Sequence, residues 1–350
     1  MQLLIITQKI DRNDGVLSFM LGWIKEFAKQ SDKVTVIALY VGEHDLPPDI
    51  KVLSLGKESG VSRLTYILNF FRYIIAERKN YDTVFVHMNQ VYVNLGGILW
   101  RFMGKRVALW YAHGSVPWDL CLAEKLAHII IASTPSGFRL KTPKLHLVGQ
   151  GINTELFTPI TRITKPGEPL KLLIVGRISP SKDYATLLSA FKKLKDKGYN
   201  LTLDVVGGAG TPGQEIYFEQ IKKLTTELEL DAVVFFHGSK PHNETVQFFN
   251  DAHIFVSTAV NGSFDKAMGD AMATALPLVA CNDAMSEVLG SLRERLMFPG
   301  GDIDNLVNKL EPLILATDEE RNLLGQTLRL IIERDHSLKN FIKKIVALLG

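Results

Sequence analysis

Cysteine is scarce in this 350-residue chain. Only Cys121 and Cys281 occur, 160 positions apart. Neither has a CxxC or Cys/His spacing nearby, which excludes a disulfide framework and a structural zinc site and makes a reducing cytoplasm the expected setting. Long hydrophobic runs are also missing. The N-terminal MQLLIITQKI reaches Lys9 without a basic start or a small-residue cleavage site, so it is expected to be a buried first strand rather than a signal peptide. No other apolar run approaches the roughly 18 residues a membrane span needs. The sequons at Asn200, Asn243 and Asn261 therefore have no secretory context. A strong charge of one sign is absent too, with a net charge of only +3, and no nucleic-acid partner is expected. Walker, G-x-S-x-G and H-E-x-x-H motifs are lacking. Ser179 to Lys182 spells S-x-x-K without the companion S-D-N and K-T-G, so acyl transfer is unsupported.

What is present is an ordinary soluble composition, 46% hydrophobic and 22% charged, on a chain long enough for two domains. Charge divides unevenly. Residues 1–165 hold 20 Lys+Arg against 13 Asp+Glu and the remainder 20 against 24, so the halves carry +7 and −4. The basic half fits an anionic partner, either a membrane surface or a charged substrate, as readily as a chance excess of solvated lysines.

Apolar, β-branched runs alternate with amphipathic stretches. LLIIT, KVTVIAL, TVFVHM and RVALWYAH in the first half each precede a segment with helical spacing, the βαβ rhythm of a parallel sheet. Residues 63–80 are expected as a core-facing helix rather than a membrane anchor, with Leu64, Ile67, Leu68, Phe71 and Ile75 on the buried face and Arg72, Glu77, Arg78 and Lys79 largely opposite. The stretch TPITRITKPGEPLK, residues 158–171, breaks the periodicity with three prolines and a glycine, so the domain boundary is placed there. The rhythm then restarts with LLIVG, TLDVVG, VVFFHG, HIFVST and LPLVAC. The expected domains are 1–163 and 164–336, each doubly wound α/β, with an amphipathic segment 337–350 packing back across their junction.

The strongest local feature is VGRISPSKDYATLLSAFKKL, residues 175–194, in which a buried strand ends at Gly176 and a helix starts near Asp183. Arg177 and Lys182 fall in the loop between. Loops at the C-terminal edge of parallel strands bind ligands in open α/β sheets, and two cations beside a helix N-terminus suit a diphosphate. The alternative is a pair of solvated surface cations. GAGTPG, residues 208–213, fits G-x-G-x-x-G, but it follows the second strand of its half whereas the dinucleotide fingerprint follows the first, so it is expected as a glycine-rich loop at a cleft. Asp302 and Asp304 form D-x-D at an expected helix start, with Asp302 as N-cap. No metal is expected there.

With Gly176, Arg177 and Lys182 in the register G-R-x-x-x-x-K after a strand, the chain resembles the family-4 retaining glycosyltransferases of the GT-B fold. The resemblance continues in VGQGINTELFTP (148–159), FHGSKPHNETVQFFNDAHIFVST and MFPGGDIDNL. It implies two facing Rossmann-like domains with an interdomain cleft, the nucleotide-sugar donor mainly on the second, retention of anomeric configuration, and no metal or cofactor. The implied acceptor is a glycan, a lipid-linked glycan or a small molecule, reached in the cytoplasm or peripherally at the inner membrane surface. The family's two glutamates, seven residues apart, align with Gly262 and Asp270 when Phe264 and the A-M-A-x-x-x-P tail are matched. One acid is thus lost and the other shortened. Asp270 is able to keep the hydrogen bonds to ribose hydroxyls, while Ser263, Asp265 or Lys266 would have to reach the sugar in place of Gly262. Gly238 belongs to the implied donor site. In the first half Gly15 marks the flexible loop after the first strand, and His113 matches the histidine that faces donor sugar and acceptor. A solvent-facing strand-end histidine is the alternative for His113, and His87 ranks below it. Two other readings stay open. One is a catalytically impaired relative that only binds a nucleotide or glycan, and the other is a nucleotide-sugar 2-epimerase.

Overall fold

The computed structural model describes every residue except Asn261 and Gly262. The chain divides into two compact units, Met1–Gly151 with Ser337–Gly350, and Ile152–His336.

The first unit contains β1 (Gln2–Ile10), α1 (Met20–Lys29), β2 (Lys33–Val41), β3 (Lys51–Ser54), α2 (Arg63–Ala76), β4 (Thr83–His87), α3 (Gln90–Phe102), β5 (Arg106–Trp110), α4 (Trp118–Leu126), β6 (Ile129–Ala132) and β7 (Leu145–Leu147). Among the described residues its strands form one sheet in the order β3-β2-β1-β4-β5-β6-β7, parallel throughout. The period of two along β1 explains how the sheet is covered. Leu3 and Ile5 pack under α1, whereas Leu4 and Ile6 pack under α2, α3 and α4. Four strands of this sheet stand out as long apolar runs in the sequence. The short β3, β6 and β7 do not.

The second unit contains β8 (Leu170–Val175), α5 (Tyr184–Asp196), β9 (Leu201–Val206), α6 (Pro212–Glu227), β10 (Val234–Phe236), α7 (Val246–Asp251), β11 (Ile254–Ser257), α8 (Lys266–Ala273), β12 (Leu278–Ala280), α9 (Asp283–Leu289), α10 (Arg293–Leu296), α11 (Ile303–Leu315) and α12 (Asp318–Ile331). Its described strands run in the order β10-β9-β8-β11-β12, again all parallel. Asp302 caps α11 by accepting the Asn305 N–H at 2.9 Å.

The chain passes from one unit to the other at Gly151 and Ile152, before the proline-rich stretch at 158–171. That stretch looks like a linker because it breaks periodicity, yet it is anchored to the second unit by Arg162. The buried guanidinium donates to the carbonyls of Phe249, Ala252, Thr274 and Ala275 at 2.7–3.0 Å, satisfying the open ends of α7 and α8. Asn322 and the Arg162 backbone exchange two further hydrogen bonds.

The last helix, α13 (Leu338–Leu349), belongs to the first unit and packs against α1. Phe341 lies 4.4 Å from the Trp23 ring and 5.0 Å from Trp110. Trp23 Nε1 donates to the Gly151 carbonyl at 3.0 Å. Gly151 has φ +69°, and a Cβ there would lie 2.7 Å from Phe341, so this return requires glycine.

Helix α2 departs from the sequence expectation. Phe70 and Ile74 face the core, and Leu64, Ile67, Leu68 and Ile75 are exposed. Both stripes have helical spacing, and the apolar pattern alone does not say which one meets the sheet.

Candidate functional site

In the second sheet β8 is the central strand, with β9 on one side and β11 on the other. The chain order reverses at this point, where loops diverging to opposite faces open a crevice at the carboxyl ends of the strands. The loops after β8 and β9 are tied together there. Gly176 N donates to Val206 O, Ile178 N to Gly208 O and Gly207 N to Gly238 O, at 2.9–3.0 Å. Gly207 has φ +147°, and a Cβ on it would sit 1.9 Å from the Gly176 carbonyl oxygen. Only glycine permits that approach. Gly238 also has positive φ, +71°, and presents backbone to the same edge.

The loop 176–183 ends at Asp183, a left-handed residue (φ 45°, ψ 55°) whose carboxylate caps α5 by taking the Thr186 N–H and hydroxyl. Arg177 is exposed, whereas Lys182 is folded inward. The Lys182 carbonyl accepts the Thr258 hydroxyl at 2.6 Å, which joins this loop to the one after β11. Lys182 Nζ makes a direct ion pair with Asp265, the N-cap of α8. Burial, and then the Arg177 guanidinium, pull the Lys182 pKa below the ordinary ammonium value, and the Asp265 carboxylate is the contact that supports its charge. The sequence reading places Arg177 and Lys182 in one loop, and names Ser263, Asp265 or Lys266 as able to reach the sugar. In the structure the Asp265 carboxylate is engaged with Lys182.

Asp270 is buried within α8, with Oδ2 2.8 Å from His242 Nε2. Its Oδ1 has no hydrogen-bond partner among the described residues. His242 lies in the turn after β10, against the Phe157 ring at 4.9 Å. The sequence reading missed it, although HGSKPH carries two histidines just past a strand. Lys266, one turn before Asp270, is held down to about 8 by burial, against the pull of the Asp270 carboxylate. Phe264 is buried with its ring against His336, and the Ser263 carbonyl accepts the Asn282 amide at 2.8 Å. Ser263 and Phe264 thus shape the loop through backbone and packing. Gly262 lies outside the described residues.

Gly15 and His113 belong to the first unit. Gly15 is exposed between β1 and α1, in a loop held by Asp14, which accepts the Val16 and Leu17 N–H groups and pairs with Lys9. Burial pushes the Asp14 carboxyl up, but Lys9 and the two N–H groups outweigh it and hold it below the usual range. His113 is exposed just beyond β5. Its Nδ1 accepts the Ser115 N–H at 3.1 Å, so in the neutral ring the proton is on Nε2. His87, at the end of β4, is buried against the edges of Phe19 and Trp23, at 5.9 and 5.6 Å, and is a packing residue.

Comparison with known proteins agrees with this geometry. Residues 160–329 match the pattern of glycosyl transferases group 1. The chain is 21% identical over 213 residues to the putative colanic acid biosynthesis glycosyltransferase WcaL of Escherichia coli (strain K12), covering 59% of this chain and 51% of that protein. It is 30% identical over 143 residues to the D-inositol 3-phosphate glycosyltransferase of Corynebacterium aurimucosum, covering 38% and 34%. The chain thus spans about half, or less, of the length of these curated relatives. Anabaena Alr3699/HepE in complex with UDP superposes with a TM-score of 0.79 at 17% identity, over 100% of this chain and 99% of that one. Sucrose-phosphate synthase from Thermosynechococcus elongatus gives 0.78 at 17% identity, over 99% and 98%. These structures show the fold to be GT-B, built from two Rossmann-like units. Residues 160–329, which carry Arg177, Lys182, Asp265 and Asp270, are the part of the chain that matches glycosyl transferases group 1.

Proposed function

We propose that this chain is a retaining hexosyltransferase that moves a sugar from a nucleoside-diphosphate sugar to a glycan, lipid-linked or small-molecule acceptor. The observation that carries the reading is the position of Lys182 beside Arg177 at the β8 switch point, at the N-terminal ends of α5 and α8. Support comes also from HepE, whose structures hold UDP and UDP-glucose.

In the proposed reaction the bond from the anomeric carbon to the β-phosphate oxygen breaks, and its electron pair stays on that oxygen. The acceptor hydroxyl oxygen bonds to the anomeric carbon on the same face, and its proton passes to the departing phosphate. Arg177 and Lys182 stabilise the charge developing on the leaving oxygen, so the step needs no metal ion or cofactor. Such fixed charges are often the largest catalytic contribution. The donor diphosphate competes with Asp265 for Lys182, and the freed Asp265 then faces the sugar. Asp270 takes the ribose hydroxyls through Oδ1, with Oδ2 steadied by His242. The same reading assigns Gly15 and His113, on the first unit, to the sugar and the acceptor. An acceptor at the cytoplasmic surface of a membrane accords with the +7 charge of residues 1–165.

The Lys182–Asp265 pair and the loss of the first motif acid at Gly262 favour one competing reading, a binding protein with no turnover. Release of nucleoside diphosphate from UDP-, GDP- or ADP-sugars separates the two. Catalytic release supports the transferase. Binding of these sugars without release, restored to turnover by Gly262→Glu, supports the competitor.

A further inference from the structure

Helices α2 and α3 lie on the same face of the first sheet, side by side. The Phe70 ring of α2 is 5.5 Å from Tyr92 and 5.7 Å from Trp100 of α3. Each helix buries one stripe against the sheet and turns a second apolar stripe outward. On α2 that stripe is Leu64, Ile67, Leu68 and Ile75, with Leu64 66% and Leu68 60% exposed. On α3 it is Val91, Ile98 and Phe102, with Ile98 58% and Phe102 86% exposed. In both helices these residues recur at helical spacing from the first turn to the last. Scattered exposed leucines need no explanation, but an exposed apolar stripe on each of two neighbouring helices on one face of the sheet does.

The charge carried by the two helices has one sign. Neither helix contains Asp or Glu, and α2 carries Arg63 and Arg72 while α3 ends in Arg101. Arg78 and Lys79 follow the end of α2. Glu77, the nearest acid in sequence, is buried and already paired with Lys51 at 2.6 Å and Asn80 at 2.9 Å. An apolar stripe rimmed by arginine is complementary to an anionic lipid surface, where the side chains enter the acyl boundary and the guanidinium groups meet phosphate. Among the described residues no helix is long and apolar enough to cross a membrane, so such a contact is peripheral.

We infer that the outward face of α2 and α3 is a docking surface for anionic membrane. This deepens the proposed membrane-side acceptor and rests on that reading only for what the contact serves. It specifies where the chain lies on the lipid, with the α2/α3 face of the first sheet down and the α1/α13 face away.

The test is co-sedimentation of the full chain with phosphatidylglycerol–phosphatidylcholine vesicles and with pure phosphatidylcholine. The wild type binds the anionic vesicles and is released by high salt. The double variant Leu68→Gln/Phe102→Gln binds more than about tenfold more weakly, because two inserted side chains are lost. The variant Arg63→Gln/Arg72→Gln loses roughly fivefold per arginine and much of the salt dependence. Both keep the wild-type unfolding midpoint, since the replaced groups are exposed. Absence of wild-type binding, or binding unchanged in both variants, overturns the inference. So does a dimer in analytical ultracentrifugation that Leu68→Gln/Phe102→Gln dissolves, which would make a second copy the occupant. Nucleoside diphosphate release measured without vesicles reports on the transfer reaction separately, so the two proposals fail independently.

Discussion

His253 and Lys171 exchange two hydrogen bonds across the β8–β11 edge. The His253 N–H donates to the Lys171 carbonyl at 2.9 Å, and the Lys171 N–H donates to His253 Nδ1 at 3.1 Å. His128 and Val107 do the same in the first unit, at 2.8 and 3.1 Å. In each sheet a histidine just before a strand thus stands in for a backbone carbonyl.

Acceptance at Nδ1 is compatible with a neutral ring. Burial, followed by the Arg321 charge, lowers the His253 pKa to about 4 from 6.5. Burial with Arg101, Lys144 and Arg106 lowers that of His128. Between about 4 and 6.5 the unfolded chain therefore binds a proton at residue 253 that the folded chain does not, and stability rises with pH there. The contribution is complete above 6.5 and fades as pH falls towards 4. It amounts to about 2 kcal/mol once the solvent-reached part of the ring is allowed for. His253→Asn keeps an acceptor but no titration, so urea midpoints measured across this range should flatten. An unchanged slope would refute the assignment.

Arg162→Met removes one cation and leaves the carbonyl oxygens of Phe249, Ala252, Thr274 and Ala275 without their donor. A loss of about 3 kcal/mol or more is expected, because each buried unpaired acceptor carries its desolvation cost. Denaturant unfolding of the variant measures it. A loss below about 1 kcal/mol would mean that water replaces the guanidinium.

Gly207→Ala places a methyl group onto the Gly176 carbonyl oxygen in a backbone region that L residues avoid. More than about 2 kcal/mol should be lost, and the diphosphate loop displaced with it. Gly238→Ala meets open space at φ +71° and should cost only about 1 kcal/mol. Thermal unfolding of the pair separates crowding from backbone strain.

If Arg177 and Lys182 hold the donor diphosphate, alanine at either position lowers turnover about 100- to 1000-fold with the fold intact. Asp265→Asn retains the α8 cap but releases Lys182, and the donor KM should fall. Steady-state kinetics with circular dichroism as the folding control decides. Undiminished turnover in both alanine variants would remove the diphosphate site from residues 177 and 182.

Much of this molecule is readable along the chain because the information is local. Short apolar runs rich in β-branched residues, such as LLIIT and TVFVH, fit strands buried on both faces, and Gly176, Arg177 and Lys182 directly after such a run mark a loop at the carboxyl edge of a parallel sheet. Asp302 announces its cap in the same way. Three features depend on partners far off in sequence. Arg162 is placed by carbonyls from residues 249 to 275, which is why a proline-rich stretch resembling a linker belongs to the second unit. Asp265 meets Lys182 across 83 positions, a pairing that no local pattern announces. The two apolar stripes of α2 are equivalent in periodicity, and only the sheet beneath, which takes Phe70 and Ile74, leaves Leu64 and Leu68 to face outward.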